Sequence, residues 1–214
     1  MDMIFPNQCI VCKNGIYQSD KSICTMCQKK FKETGLGNWK NEVSHVDGLD
    51  GTYSGWYFTD AIQNVIHSLK YDERAKLGKE LGFQLGILFP LEEIEPVDAL
   101  VPVPLHSVKK RERGFNQSEW IAKGIASKWN IPVDCSILKR NKYTETQTKL
   151  SSEERKQNME TAFEVTKQLN GKIIALVDDV LTTGSTISAC AMRLKEMGSQ
   201  FVIAITCCTP KFET

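Results

Sequence analysis

One run constrains this chain more than any other: Ile173 to Thr186, IIALVDDVLTTGST. Its first five residues are apolar and rich in β-branched side chains, which predicts a strand buried on both faces, as in a parallel sheet. The strand ends in two adjacent aspartates, Asp178 and Asp179. In open α/β sheets ligands collect beyond the carboxyl ends of the strands, so both acids stand where a ligand would bind. Adjacent carboxylates repel each other and need a cation or a donor-rich partner. A vicinal diol offers two hydroxyl donors at a suitable separation, and an ionised acceptor makes the stronger kind of hydrogen bond. The turn that follows, Leu181-Thr182-Thr183-Gly184-Ser185-Thr186, leads into a helical period from Ile187. A helix start presents unpaired N–H groups and the positive end of its dipole, and a glycine lets the backbone come close. The turn is therefore a candidate monophosphate cradle. A diol grip followed at once by such a cradle describes a ribose 5-phosphate.

Two competing readings are weaker. An apolar strand ending in two acids also fits a nucleotide triphosphatase element, which requires a G-x-x-x-x-G-K-[ST] loop elsewhere. The chain has Gly-Lys only at Gly78-Lys79 and Gly171-Lys172, and neither is followed by Ser or Thr. A plain strand-to-helix turn explains one acidic cap, but not two acids and four hydroxyl residues around a glycine.

Upstream, Thr52–Phe58 predicts a strand or hairpin. Ala61, Ile62, Val65, Ile66 and Leu69 lie on one face of a helix for which Thr59 is the candidate cap. A second helix is predicted from Lys76 to Leu88. Ala99–Val103 is a short strand containing Pro102 and followed by Pro104, so it should end in a special turn. His106–Arg113 is a basic turn, Gln117–Trp129 a helix, Ile137–Lys139 the start of a strand, and Tyr143–Gln157 a polar mobile loop. Gly198 closes the helix begun at Ile187, and Phe201–Cys207 is a last buried strand. Alternating strands and helices predict a parallel sheet covered on both faces. With 41% hydrophobic residues in 214 the chain can form an ordinary core, and a net charge of +1 leaves polyanion binding to local patches. No apolar run is long enough to span a membrane. The start MDMIFPNQCIVC lacks the features of a signal peptide, so a cytoplasmic location is expected.

Four of the eight cysteines form two knuckles, Cys9-x-x-Cys12 and Cys24-x-x-Cys27. A two-residue gap points both thiolates at one ion, and two knuckles complete a tetrahedron, so a structural zinc is expected. Free or redox-active thiols are the alternative. Cys135, Cys190, Cys207 and Cys208 lie in apolar-looking surroundings. Gly35, Gly37 and Asn38 mark a joint, which divides the chain into a cysteine module (1–36), a linker and hood (37–75) and a core (76–214).

VDDVLTTGST resembles the phosphoribosyl pyrophosphate (PRPP) motif of type I phosphoribosyltransferases. The paired cysteines, LVPVPLH (100–106), RGFNQS (113–118) and TQTKLSSEERKQNMETAF (146–163) together resemble the ComF family over nearly the whole chain. The resemblance implies an α/β type I phosphoribosyltransferase (Rossmann-like) core with a mainly parallel sheet and a small zinc-ribbon-like N-terminal module. It implies that Asp178 and Asp179 hold the ribose hydroxyls and act in catalysis, and that Thr182, Thr183, Gly184, Ser185 and Thr186 hold the 5-phosphate. Val103, Pro104, Leu105 and His106 match the pyrophosphate loop, where an unusual peptide geometry is common, and Arg113 is the favoured basic ligand. Lys109, Lys110 and Arg111 are either ligands or a solvated face. The 143–157 loop would be a lid, and Mg²⁺ would accompany PRPP.

The acceptor, a nitrogen nucleophile, is not specified. Tyr53, Trp56, Tyr57, His67, Lys70 and Tyr71 of the hood are candidates to hold it, with a place in the core as the commoner role for such aromatics. The family is associated with competence and DNA uptake. A second class of function is therefore a DNA-handling protein that keeps the pocket and partners single-stranded DNA and a DNA-uptake helicase. Homo-oligomerisation stays open.

Overall fold

The computed structural model describes residues 7–17, 21–35, 46–71, 75–141 and 161–211. The lid expected at 143–157 lies outside these residues. A short antiparallel pair, β1 (Asn7–Gln8) and β2 (Gly15–Ile16), and helix α1 (Thr25–Gln28) form the cysteine module. Then follow β3 (Gly51–Tyr57), α2 (Asp60–Tyr71), α3 (Ala75–Leu88), β4 (Ala99–Pro102), α4 (Ser107–Arg113), α5 (Gln117–Trp129), β5 (Leu138–Arg140), β6 (Phe163–Val165), β7 (Ile173–Val180), α6 (Ser185–Glu196) and β8 (Phe201–Thr209).

The central sheet runs β3-β8-β7-β4, and every pairing in it is parallel. The two most apolar strands, β7 and β8, are central, and Ile174–Val177 and Val202–Thr209 are buried throughout. Pro102 is accommodated because β4 is an edge strand, where a missing N–H costs no central ladder bond. The 52–58 segment is a parallel edge strand, not a hairpin. Thus the stretch expected to be linker and hood contributes β3 to the main sheet.

One face of the sheet carries α2, α3 and α5, and the other carries α6 and the β5–β6 pair. The cysteine module does not stand apart. Cys9, Ile10, Ile16, Ile23, Cys27 and Phe31 share one apolar cluster with Trp56 and with Ile62, Val65, Ile66 and Leu69 of α2. Residues 32–34 also bond along the outer edge of β3, through Thr34 N–H to Gly55 O (3.1 Å) and Tyr57 N–H to Lys32 O (2.8 Å).

Three local expectations change. The basic turn is a true helix, α4, whose N-cap is His106: its Nδ1 accepts the Val108 N–H at 3.3 Å. Thr59 does not cap α2, because its hydroxyl is buried without a partner. Cys135 is exposed, whereas Cys190, Cys207 and Cys208 are buried as expected.

Candidate functional site

The carboxyl ends of β7 and β4 gather most of the residues singled out in the sequence. The Val103 N–H donates to Val177 O at 2.9 Å, which sets the 103–106 turn beside the acid pair. The turn is anchored again where Asn116 Nδ2 donates to Val103 O at 3.0 Å. All peptide bonds among the described residues are trans, so the unusual geometry expected at this turn is absent there. Arg113 stands at the α4–α5 corner and donates to Gln117 Oε1 at 3.2 Å. Gly114 turns this corner at φ 74°, and Asn116 caps α5 by accepting the Ser118 N–H at 3.2 Å.

The two acids have different surroundings. Asp178 Oδ1 accepts from Ser118 Oγ at 2.8 Å and from the Asp179 N–H at 2.9 Å. Burial, and then the neighbouring Asp179 charge, push its carboxyl up to about 7 against the donors and Lys70. Asp179 is buried, and its Oδ2 pairs with Lys70 Nζ of α2 at 2.7 Å. Each acid is thus engaged with its own chain. The pair does not present two free carboxylates side by side.

The phosphate-cradle candidates follow directly. Gly184 is the N-cap of α6 at φ 75°, a left-handed conformation that suits glycine. Val46 packs against it so closely that a Cβ there would stand 2.3 Å from Val46 Cγ2. Thr182, Thr183 and Ser185 are exposed and Thr186 is partly exposed, so their hydroxyls face solvent at the sheet end. The Thr183 and Ser185 hydroxyls lie 3.0 Å apart.

The hood aromatics are structural. Trp56 is core and meets Phe31 edge-on at 5.7 Å, Tyr53 meets Phe89 at 5.6 Å, and Lys32 lies over Tyr57. The Tyr71 side chain lies outside the described residues. Sequence reasoning missed the buried polar set Asn116, Gln117 and Ser118 and the pairing of Lys70 with Asp179. A signal for Lys70 was present: it continues the i, i+4 row of Ile62 and Ile66, which places a charge on the buried face of α2 and calls for a counter-ion.

The four knuckle sulfurs all lie within 4.8 Å of one another, and the Cys12 and Cys24 sulfurs are 3.8 Å apart. Tetrahedral zinc with Zn–S bonds of about 2.3 Å requires sulfur–sulfur edges of roughly 3.8 Å, so the donor set fits zinc. Burial raises the Cys9 thiol, but N–H groups of Cys12, Cys24 and Val11 outweigh it and bring Cys9 down to about 6. Zinc held by Cys9, Cys12, Cys24 and Cys27 would have no open position, so its role would be structural. Chelation under reducing conditions is expected to abolish hydrogen-exchange protection over residues 9–33 and lower Tm, because such ions supply on the order of 10 kcal/mol of folding energy. One equivalent of zinc should restore both. Unchanged protection after verified metal removal contradicts a structural ion.

Residues 116–212 match the family model "Phosphoribosyl transferase domain". The chain is 26% identical to Competence protein F of Haemophilus influenzae, over 91% of this chain and 93% of that one. It is 27% identical to DNA utilization protein YhgH of Escherichia coli, over 91% and 86%. It is 24% identical to Competence protein ComFC of Bacillus subtilis, over 89% and 78%. The chain is similar to these ComF-type proteins over about nine-tenths of its length. These matches extend well beyond the 116–212 domain match. The matched domain begins at the α5 cap, Asn116, and contains Ser118, both acids and the whole 182–186 loop. The fold is therefore an α/β type I phosphoribosyltransferase fold carrying a four-cysteine module.

Proposed function

We propose that the chain binds PRPP and transfers its phosphoribosyl group to a nitrogen acceptor with release of pyrophosphate. The observation that carries this reading is the convergence of three elements at one end of the sheet: the acid pair, the hydroxyl-rich 182–186 turn, and the 103–106 turn with Arg113 nearby. The 182–186 turn takes the 5-phosphate, the acid pair lies on the ribose side, and Val103–His106 with Arg113 take the pyrophosphate. In the reaction the bond from ribose C1 to pyrophosphate breaks and a bond from C1 to nitrogen forms. Positive charge builds on the sugar as the leaving group departs, and the nearby carboxylate charge stabilises it. Mg²⁺, when bound with PRPP, would neutralise charge on the departing pyrophosphate. The proton lost by the acceptor needs a base, and a carboxyl held near 7 is matched to that task at neutral pH.

The names of the relatives favour a second reading, DNA handling in competence. Lys13, Lys29, Lys30 and Lys32 are exposed on the cysteine module, and so is Tyr17, which is 94% exposed; basic and aromatic side chains suit single-stranded nucleic acid. Titration calorimetry with PRPP and Mg²⁺, followed by a nucleobase screen for pyrophosphate release, tests the first reading. Heat with PRPP and pyrophosphate with one base support transfer. No PRPP heat, together with salt-steep binding of oligothymidine, overturns it in favour of the second.

A further inference from the structure

α3 carries a single acid, Glu80, and that side chain is only partly exposed. It stands two residues from Gly78 and two from Gly82, which is roughly 200° around the helix from each. Those glycines face α5, so Glu80 is turned the other way, towards the cysteine module. There its Oε2 accepts the Ser22 N–H at 2.7 Å, from a residue 58 positions away in the chain. The Ile23 N–H and the Ser22 hydroxyl also donate to the carboxylate, and the Lys21 charge acts on it. Burial pushes the Glu80 carboxyl up against these donors. Ser22 and Ile23 lead directly into Cys24, the start of the second knuckle. Ser22 O accepts the Ile10 N–H at 3.0 Å, and Ile10 lies inside the first knuckle, between Cys9 and Cys12. The Cys24 N–H in turn donates to Cys9 Sγ at 3.3 Å. We propose that Glu80 is a positioning residue of the four-cysteine site: from α3 it holds the Ser22–Ile23 backbone, and through that backbone it sets the two knuckles against each other for the metal. The metal site is then composite, completed by a side chain of the sheet domain. The inference is independent of the PRPP reading and rests on the four cysteines holding a metal.

The knuckles differ in what else holds them. The first closes on itself, with the Cys9 N–H on Asn14 O and the Lys13 N–H on Cys9 O, both at 2.8 Å. The second is held on its far side by α1, where the Cys27 and Gln28 N–H groups both reach Cys24 O at 3.0 Å. The approach to Cys24 is where Glu80 acts. An acid suits the task, because one carboxylate accepts several donors and an ionised acceptor makes the stronger bond. Its charge works against the metal site, since four thiolates around one zinc leave a net negative charge. The N–H donors and Lys21 offset that charge. Docking alone would not call for a partly buried acid at this place: Ile10, Ile23 and Phe31 of the module already share an apolar cluster with α2 and α3. Groups behind the ligands that fix their orientation are worth about ten- to hundredfold in metal affinity. The coupling is reciprocal, so metal loading should also steady Glu80 and the middle of α3.

The test uses the full chain. Competition with a chromophoric chelator reads zinc affinity, amide hydrogen exchange follows Ser22, Ile23 and α3, and melts are recorded with and without zinc. Glu80→Ala is expected to weaken zinc binding about tenfold or more and to speed exchange of the Ser22 and Ile23 amides in the zinc-loaded chain. Glu80→Gln keeps an acceptor oxygen without the charge and should lose only about threefold. Lys79→Ala, at the exposed neighbouring position of α3, should bind zinc like wild type. Unchanged zinc affinity in Glu80→Ala overturns the role. A Tm that falls equally with and without zinc marks a docking contact alone and overturns it as well. Zinc binding weaker in Glu80→Gln than in Glu80→Ala would mean that acceptance of the N–H groups is not what matters, and it too overturns the role. Should Glu80→Ala fail to fold, Glu80→Gln decides: a threefold loss supports the role, and wild-type affinity overturns it. A wild-type chain that takes up no zinc overturns the metal reading itself, whereas a zinc-binding wild type with unaffected variants overturns Glu80 only.

Discussion

Replacing Asp178 with asparagine is expected to raise the thermal stability of the protein above pH 7 while removing most of its affinity for PRPP. The native carboxyl keeps its proton up to about 7, whereas in the unfolded chain the ordinary value is 3.8. Between these values the native state binds more protons than the unfolded state, so stability falls as pH rises. The contribution is fully present below about pH 4 and is lost as pH passes through 7. The cause is burial beside the Asp179 charge, and an amide feels neither penalty. Asparagine keeps an oxygen for the Ser118 hydroxyl and the Asp179 N–H, so the local hydrogen bonds survive. The gain at pH 8 should be about 2 kcal/mol, or roughly 4–8 °C in Tm for a chain of this size. Below pH 4 wild type and variant should melt together. Binding moves the opposite way, because a sugar hydroxyl exchanges an ionised acceptor for a neutral one and the loss falls in the ten- to hundredfold range. Calorimetric melts at pH 4 and pH 8, with PRPP titrations at pH 8, check both halves. A variant that is less stable than wild type at pH 8 refutes the strained-acid account, and unchanged PRPP affinity refutes a ligand role.

This trade of stability for function is also what made the site legible in the sequence. Two acids at the end of an apolar strand violate the expectation for a buried strand end, and such violations gather at functional sites. The rest of the fold was legible where patterns were long. The apolar runs of β7 and β8 and the helical periods of α2, α3 and α5 all appear as expected. β7 and β8 each run longer than the apolar pattern indicates, because Asp178 to Val180 in β7 and Cys208 and Thr209 in β8 continue the ladder with partners that sequence cannot display. β6 was invisible: Phe163–Val165 has three residues, follows a long polar stretch and is defined by its antiparallel partner β5. α4 was read as a turn because its seven residues are mostly charged and none is buried. β3 was ambiguous because its partner, β8, lies about 150 positions later in the chain. In the site the contiguous 178–186 motif was legible. The contributions of Ser118 and Lys70 were not, because both depend on where α5 and α2 dock.

That docking sets up the second large effect, which is expected from a single methyl group. α3 carries glycines at 78, 82 and 86, one per turn, and α5 carries Gly124 opposite them. In sequence this row looks like a weak helix with a propensity cost of about 1 kcal/mol at each position. In the structure it lets the two helices touch backbone to backbone. A Cβ on Gly82 would stand 1.9 Å from Ile121 O, and one on Gly124 would stand 2.2 Å from Lys79 O and 2.6 Å from Phe83 N. No side-chain rotation relieves these contacts, so the helices must separate and lose packing along their length. Gly82→Ala and Gly124→Ala are each expected to destabilise by about 3 kcal/mol even after the gain in helix propensity, or roughly 6–12 °C in Tm. Gly86→Ala meets Lys128 Cβ at 2.8 Å and Cγ at 3.0 Å, with no backbone atom nearer than Ile125 O at 3.5 Å, and should cost less. Because one separation of the helices relieves both clashes, the Gly82 and Gly124 changes should be far from additive when combined. Moving α5 also carries Ser118 away from Asp178, so PRPP affinity should fall with stability in the two severe variants and stay near wild type in Gly86→Ala. Equal melting temperatures for all three alanine variants would show that the close approach of α3 and α5 does not hold in solution. A stability loss without an affinity loss would show that α5 does not position the acid.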